Sequence, residues 1–100
     1  MTPKIQSVHF DADKKLIDFI NEKVSKLTQF HDGIIGTDVI LKLEKSSDQA
    51  NKTAEIKLHI GGNPLFAKKQ CVTFEEAVDT TIDALRTQIK KHKEKTLAVK

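Results

Sequence analysis

The chain has 100 residues, a hydrophobic content of 38% and a single cysteine, Cys71. This length supports one core and excludes two ordinary domains, and one thiol excludes an internal disulfide framework. The formal net charge of +3 is unevenly spread, because residues 86–100 contain six basic residues and one acidic residue while the rest contains 11 basic and 13 acidic. A concentrated basic segment favours a polyanionic partner, most often nucleic acid, and the alternative is a solubilising tail.

The sequence predicts neither export nor membrane insertion. It contains no run of about 18 apolar residues, the length that a spanning helix needs. The first ten residues alternate polar and apolar positions like a strand, unlike the charged and then apolar leader of a secreted protein. We therefore expect a cytoplasmic protein.

The amino-terminal third predicts a strand followed by a helix. Residues Lys4–Phe10 are rich in β-forming side chains, and one break in their alternation predicts a bulge. From Asp13 the apolar residues recur with a period of 3.6, and Asp11 or Asp13 can cap the helix while Gly33 suits its exit. The predicted buried face comprises Leu16, Ile17, Ile20, Val24 and Leu27.

Three further strands are predicted in the middle of the chain. Thr37–Lys45 and Ala54–Ile60 alternate cleanly and are separated by a polar loop over Ser46–Lys52. Gly61–Pro64 predicts a turn, after which Leu65–Val72 forms the fourth strand. Short connections between consecutive strands imply antiparallel pairing.

The carboxy-terminal segment predicts a long helix. Thr73 and Glu76 have the spacing of a capping box, and the helix is expected to run to about Lys95. Its predicted core-facing stripe comprises Phe74, Ala77, Val78, Thr81, Ile82, Leu85 and Ile89.

The order of these elements, β-α-β-β-β-α, predicts an α+β two-layer sandwich. Two helices with apolar stripes need a surface, and an antiparallel four-stranded sheet with one apolar face provides it. Both helices are therefore expected on one face, as in a double-stranded-RNA-binding domain. We expect residues 1–95 to form a single domain and residues 96–100 a short tail.

Basic residues are predicted along one flank of each helix. On the second helix, Arg86, Lys90 and Lys93 fall within about 60° of arc. On the first, the flank comprises Lys15, Lys23 and Lys26, together with Phe19 and Phe30. If the helices are side by side, these flanks can meet across a groove and follow a phosphate backbone. The alternative is that the lysine stems only cover the edge of the core.

Short segments along the whole chain carry a family resemblance. They are Lys23–Leu27, Val39–Lys45, Ala77–Asp79, Asp83, Gln88–Ile89 and Lys91–Lys95. Through these segments the chain resembles the ribosome hibernation-promoting factors, also called ribosome-associated inhibitors or sigma-factor modulation proteins. Members of that family carry the patterns Lys-x-x-Lys-Leu, Ala-Ile-Asp, Arg-Gln-Leu and Lys-His-Lys-Asp-Lys at the corresponding positions.

The resemblance implies binding without catalysis. The family's domain occupies the decoding channel of the small ribosomal subunit and overlaps the positions of messenger and transfer RNA, so that its binding and translation exclude each other. The implied partners are small-subunit rRNA and the whole ribosome, without a membrane, small-molecule substrate or cofactor, and we expect a monomer off the ribosome. The residues implied in RNA binding are Lys23, Lys26, Arg86, Lys90, Lys91, His92 and Lys93. Weaker candidates are Lys15, Lys68 and Lys69.

The sequence departs from the family pattern at three positions. Thr87 stands where the family has a basic residue, and Arg86 lies one position earlier, about 100° around the helix. Ala84 replaces a common lysine, and Glu75 replaces an aromatic residue. The sequence ends at Lys100, which resembles the short type of the family.

Catalytic and metal sites are not predicted. The histidines and Cys71 lack the spacing of metal ligands. Asp79 and Asp83 lie one turn apart and could imitate a catalytic pair, but near a helix start they complement the macrodipole, and Asp83 can pair with Arg86. We expect no enzyme activity.

Two other functions fit parts of the pattern. One is a double-stranded-RNA-binding module of another system, although such modules usually carry lysines where Thr73–Glu76 is acidic. The other is a regulatory domain whose lysine-rich helix binds an acidic protein. Ribosome profiles of a lysate separate these three possibilities.

Overall fold

A computed structural model describes residues 3–8, 10–30, 33–44, 50–60 and 64–98, with the side chains of Phe30 and residues 92–98 outside this description. The elements are β1 (Lys4–Val8), α1 (Lys14–Phe30), β2 (Ile34–Leu43), β3 (Lys52–Ile60), β4 (Leu65–Cys71) and α2 (Phe74–Ala98). The predicted order β-α-β-β-β-α is confirmed. Most of the polar loop and of the Gly61–Pro64 turn lies outside the described residues.

The four strands form one sheet in the order β1-β2-β3-β4. β2 pairs with β3, and β3 with β4, in the predicted antiparallel sense. β1 pairs with β2 in parallel, so the prediction of a wholly antiparallel sheet is wrong at this edge. The reason is that α1 carries the chain back to the end of the sheet where β1 began, and β2 then runs in the same direction as β1.

The predicted bulge in the first strand is also wrong. The register between β1 and β2 is continuous from Lys4 to Val8, which leaves Val8 on the face away from the helices. The irregularity lies instead in β2, between Ile34 and Gly36, so that Ile35 and Gly36 together oppose His59 of β3. β2 also begins three residues before the predicted start.

The core lies between one face of the sheet and the two helices, as predicted. The fully buried large side chains of the helices are Ile20, Val24, Leu27, Val78, Ile82, Leu85 and Ile89. The sheet contributes Val39, Leu41, Ile56 and Leu58. Each such side chain contributes about 1.5–3 kcal/mol relative to an exposed one, which fixes the helices on this face.

Side-chain caps mark the two helix starts. Asp13 Oδ1 accepts a hydrogen bond from the Leu16 amide at 2.9 Å, which confirms Asp13 as the cap of α1. Thr73 Oγ1 accepts one from the Glu76 amide at 3.1 Å, the threonine half of the predicted capping box. At its other end α2 reaches Ala98, three residues beyond the expected end.

The two helices run in the same direction, opposite to β1, β2 and β4. Two contacts define this for α2, since the Thr81 hydroxyl lies 3.4 Å from the Ala54 carbonyl and the Gln88 amide donates to the Phe66 carbonyl at 2.9 Å. Ala54 is level with Lys69, so α2 passes along β4 from its end towards its beginning. The turns of α2 that follow Gln88 therefore extend towards and past the start of β4.

Candidate nucleic-acid interface

The basic flanks of the two helices face each other. Lys23 Nζ of α1 lies 3.0 Å from Asp79 Oδ1 of α2, which joins the middle of one helix to the second turn of the other. At 100° per residue, Asp79 lies within about 20° of both Arg86 and Lys90 around α2. Because Asp79 contacts α1, the flank that carries Arg86 and Lys90 is the flank beside α1.

We call the resulting surface the helix ridge. Its described basic residues are Lys15, Lys23, Lys26, Arg86 and Lys90. Since the helices run in one direction and Lys23 is level with Asp79, the ridge extends about 28 Å from Lys15 to Lys90 at 1.5 Å per residue. The structure thus brings together the two flanks that the sequence placed on separate helices.

Acidic side chains neutralise the middle of the ridge. Lys26 Nζ lies 3.5 Å from Glu22 Oε1, and Arg86 lies 3.8 Å from Asp83, which confirms the predicted pairing of Asp83. The Lys23 ammonium also lies 5.4 Å from the centroid of the Phe19 ring, a cation–π distance. Exposed pairs of this kind contribute only about 0–1 kcal/mol to stability, but they lower the local positive potential.

The carboxy-terminal end of the ridge is the more positive part. Lys90 and Lys91 are both exposed and follow the last acidic residue of the described flank. Lys91 lies about 100° around α2 from Lys90, so the two ammonium groups open towards different sides of the helix. His92 and Lys93 continue the segment, but their side chains lie outside the described residues.

Two of the weaker candidates lie on opposite faces of the sheet. In the β3–β4 register, Lys68 lies opposite Glu55, on the face away from the helices. Lys69 lies opposite the buried Ala54, on the helix side. Both lysines are exposed. They cannot contribute to one surface, and only Lys69 lies on the side of the ridge.

Sequence reasoning missed the partners of two residues. The sequence predicts that Asp79 complements the helix dipole, whereas in the structure its carboxylate pairs with Lys23 of the neighbouring helix. Its position on the Arg86 and Lys90 flank was the available signal. Gln88, which lies in one of the family segments, donates to the Phe66 carbonyl on the outer strand.

Two further findings concern other classes of site. Within the described ranges, no helix has the length and apolar content needed to cross a membrane. In the same part of the chain, no three histidine, cysteine, aspartate or glutamate side chains are grouped so as to hold a metal ion.

Comparisons with known proteins agree on one family. Residues 4–97 match the family described as sigma 54 modulation protein / S30EA ribosomal protein. Ribosome hibernation promoting factor from Klebsiella oxytoca is 37% identical over 78 residues, 78% of each chain. The protein of the same name from Escherichia coli K12 is 32% identical over 95 residues, 95% of this chain and 96% of its own.

Two solved structures share the fold. The amino-terminal domain of Protein Y from Thermus thermophilus superimposes with a TM-score of 0.78 at 22% identity, covering 92% of this chain and 99% of that domain. A ribosomal subunit interface protein from Coxiella burnetii gives a TM-score of 0.82 at 18% identity, covering 94% and 99%. From its match over residues 4–97, together with these relatives, the chain belongs to the sigma 54 modulation protein / S30EA ribosomal protein family.

Proposed function

We propose that this protein is a ribosome hibernation factor that binds small-subunit rRNA through the helix ridge. Bound in the decoding channel, it competes with messenger and transfer RNA and so keeps idle ribosomes out of translation in the cytoplasm. It acts by occupancy, as a monomer before it binds, and residues 1–95 form the binding domain. The relatives named ribosome hibernation promoting factor support this role, since they align with 78% and 95% of the chain.

The single observation that carries the proposal is the meeting of two basic helix flanks at the Lys23–Asp79 contact. A ridge about 28 Å long can follow several consecutive phosphates, because each long cationic side chain displaces condensed counterions as it binds. Phosphate contacts of this kind read the shape of folded RNA rather than its sequence. This suits a competitor that fills a fixed RNA channel.

Sedimentation of purified small subunits through a sucrose gradient tests the proposal. Lys90→Glu places a negative charge at the most positive part of the ridge, so we expect at least a tenfold loss of co-sedimentation with the subunit. Lys14→Glu is the matched control, because Lys14 is exposed and lies on the opposite flank of α1. A Lys90→Glu protein that binds the subunit as well as the Lys14→Glu protein would refute the role of the ridge.

The same preparation separates the proposal from its competitors. A protein that binds free duplex RNA but not the subunit would be a general duplex-binding module. A protein that binds neither the duplex RNA nor the subunit would indicate a protein partner instead. In a translation assay, inhibition that is relieved by excess messenger and transfer RNA is expected if the mechanism is competition.

A further inference from the structure

The face of the sheet opposite the helices carries a second cluster of candidate RNA-binding side chains. Register places one row of this face on Lys4, Asp38, Lys57 and Phe66, one residue from each strand. The neighbouring residue His59 lies on the same face, two positions after Lys57 in β3. Strands are about 4.8 Å apart, so these side chains form one continuous surface, which we call the open face.

His59 presents a ring that is held in place. A Cβ atom at Gly36 would lie 3.3 Å from His59 Cδ2, so the absence of a side chain at Gly36 gives the imidazole room against the β2 backbone. His59 Nε2 donates to Asp38 Oδ2 at 2.7 Å. The ring is thus fixed by a carboxylate at one nitrogen, while 40% of the side chain stays exposed.

Phe66 provides a second ring beside it. This residue is 51% exposed, although it lies within a strand, and its backbone carbonyl is fixed from the helix side by Gln88. Because Lys57 is its direct partner, Phe66 is diagonal to His59, at a spacing of about 7–8 Å that aromatic side chains can span. Ile35, which is 75% exposed at the bulge opposite His59, extends the apolar area.

The charges around the rings favour a negatively charged ligand. Two acidic residues of this face have partners, since Asp38 lies 2.7 Å from His59 and Glu55 lies 2.8 Å from Lys42. A third, Glu44, lies two residues beyond Lys42, at the end of the face away from the rings. Three exposed lysines lie beside the rings: Lys4, Lys57 and Lys68. Exposed rings interleaved with lysines are the combination that binds single-stranded nucleic acid, in which bases stack on the rings and phosphates contact the ammonium groups.

We infer that the open face is a second RNA site, one that takes single-stranded RNA. Bases stack on Phe66 and His59, and the adjoining phosphates contact Lys57 and Lys68. The site goes beyond the proposed hibernation role, because it lies on the opposite side of the sheet from the helix ridge. Binding at the open face can therefore be lost while ridge binding is kept.

A tryptophan scan reads this contact directly. The chain has no tryptophan or tyrosine, so Phe66→Trp introduces the only indole. On titration with an oligouridylate of about ten nucleotides, we expect the fluorescence of Phe66→Trp to be quenched as a base stacks on the indole. Val72→Trp is the control, because Val72 is 47% exposed but lies about 20 Å further along the chain from Phe66, between β4 and α2.

Binding affinity provides a second measurement that does not depend on the new fluorophore. With end-labelled oligouridylate, Phe66→Ala is expected to weaken binding about tenfold, as loss of one stacked base would. Phe66→Leu keeps the apolar volume and should lose nearly as much, whereas Phe66→Trp should bind at least as well as the native chain. Equal affinity of all four proteins, or equal quenching of Phe66→Trp and Val72→Trp, would overturn the inference.

A charge-matched ligand tests the class of partner. An oligoglutamate of the same length carries comparable negative charge but no bases, so it is expected not to quench Phe66→Trp. Quenching by oligoglutamate and not by oligouridylate would overturn the RNA assignment in favour of an acidic protein partner.

Repeating the oligouridylate titration with Phe66→Trp bound to the small subunit identifies the source of the RNA. This experiment rests on the proposed function. Oligouridylate that still quenches Phe66→Trp on the subunit supports a site for a separate RNA strand. Quenching by the subunit itself supports a contact with rRNA. Failure of the ridge variant Lys90→Glu to lose subunit binding would affect only this experiment, because free protein and oligouridylate test the open face alone.

Discussion

The two faces of this small sandwich differ in the side chains that they expose and therefore in the RNA contact proposed for each. The helix ridge is a line of long cationic side chains whose middle is partly neutralised by Glu22, Asp79 and Asp83. The open face instead places two exposed rings among lysines. A line of charges follows phosphates, whereas rings need unpaired bases. If both proposals hold, shape recognition and base stacking are separated, each on its own side of one sheet.

The largest expected effect concerns the end of the ridge. Reversing Lys90 and Lys93 together changes the local charge by four units, so we expect small-subunit binding to fall by at least about a hundredfold, since phosphate contacts dominate affinity. The melting temperature should be unchanged within a few degrees, because Lys90 is exposed. Gradient sedimentation and circular dichroism measure the two quantities. Unchanged co-sedimentation would place the binding surface elsewhere.

Salt dependence separates the two faces. If the ridge neutralises about four phosphates, the slope of log affinity against log salt for the subunit is expected near −3, so a fourfold rise in salt weakens binding by tens-fold. Lys90→Gln should lower the magnitude of this slope by about one, while Phe66→Ala should leave it unchanged because a phenyl ring displaces no counterions. A change of slope with Phe66→Ala would contradict the division between the faces.

A substitution at Asp79 is expected to strengthen subunit binding, whereas the substitutions above weaken it. Asp79→Asn removes the carboxylate that pairs with Lys23, so the ridge becomes more positive and subunit binding is expected to strengthen about threefold. The free energy of unfolding should fall by no more than about 1 kcal/mol, since more than half of the Asp79 side chain is exposed. Competition binding at low salt measures the gain. Weaker binding would mean that the Lys23–Asp79 pair matters chiefly by fixing the helices.

The smallest effect concerns the ion pair on the open face. The hydrogen bond and the charge of Glu55 raise the pKa of Lys42 above its ordinary 10.5. A group whose pKa is raised by folding stabilises the fold fully below its unfolded value and loses that effect as pH rises through its folded value. The melting-temperature difference between the native chain and Lys42→Met should therefore be constant from neutral pH to about 10 and shrink above 10.5. A difference that disappears below pH 9 would contradict this, by the same linkage.

The sequence predicted most of the fold because its periodicities are strong. The apolar stripes of both helices and the alternation of β3 identify the core, and Asp13 and Thr73 mark the helix starts. The direction of β1 was not accessible from local pattern, since it depends on how the chain crosses over. The bulge at Ile35 was missed because Ile34 and Ile35 are both apolar and either could face the core.

The sequence predicted part of the helix ridge and none of the open face. Helical spacing alone placed Arg86 and Lys90 on one flank, but only the Lys23–Asp79 contact shows which way that flank faces. The open face could not be predicted, because His59 and Phe66 become neighbours through the register of β3 and β4. Their RNA-binding roles stay predictions until the variants are measured.

The hydrogen bond from Gln88 to the Phe66 carbonyl has a consequence for solubility. β4 is a border strand, and backbone carbonyls left bare along such a border can recruit a strand from another molecule and seed an aggregate. The side-chain amide of Gln88 donates to one of these carbonyls. A strand from another molecule must therefore displace Gln88 before it can hydrogen-bond along β4. A helix residue thus disfavours edge-to-edge pairing of β4 with another molecule.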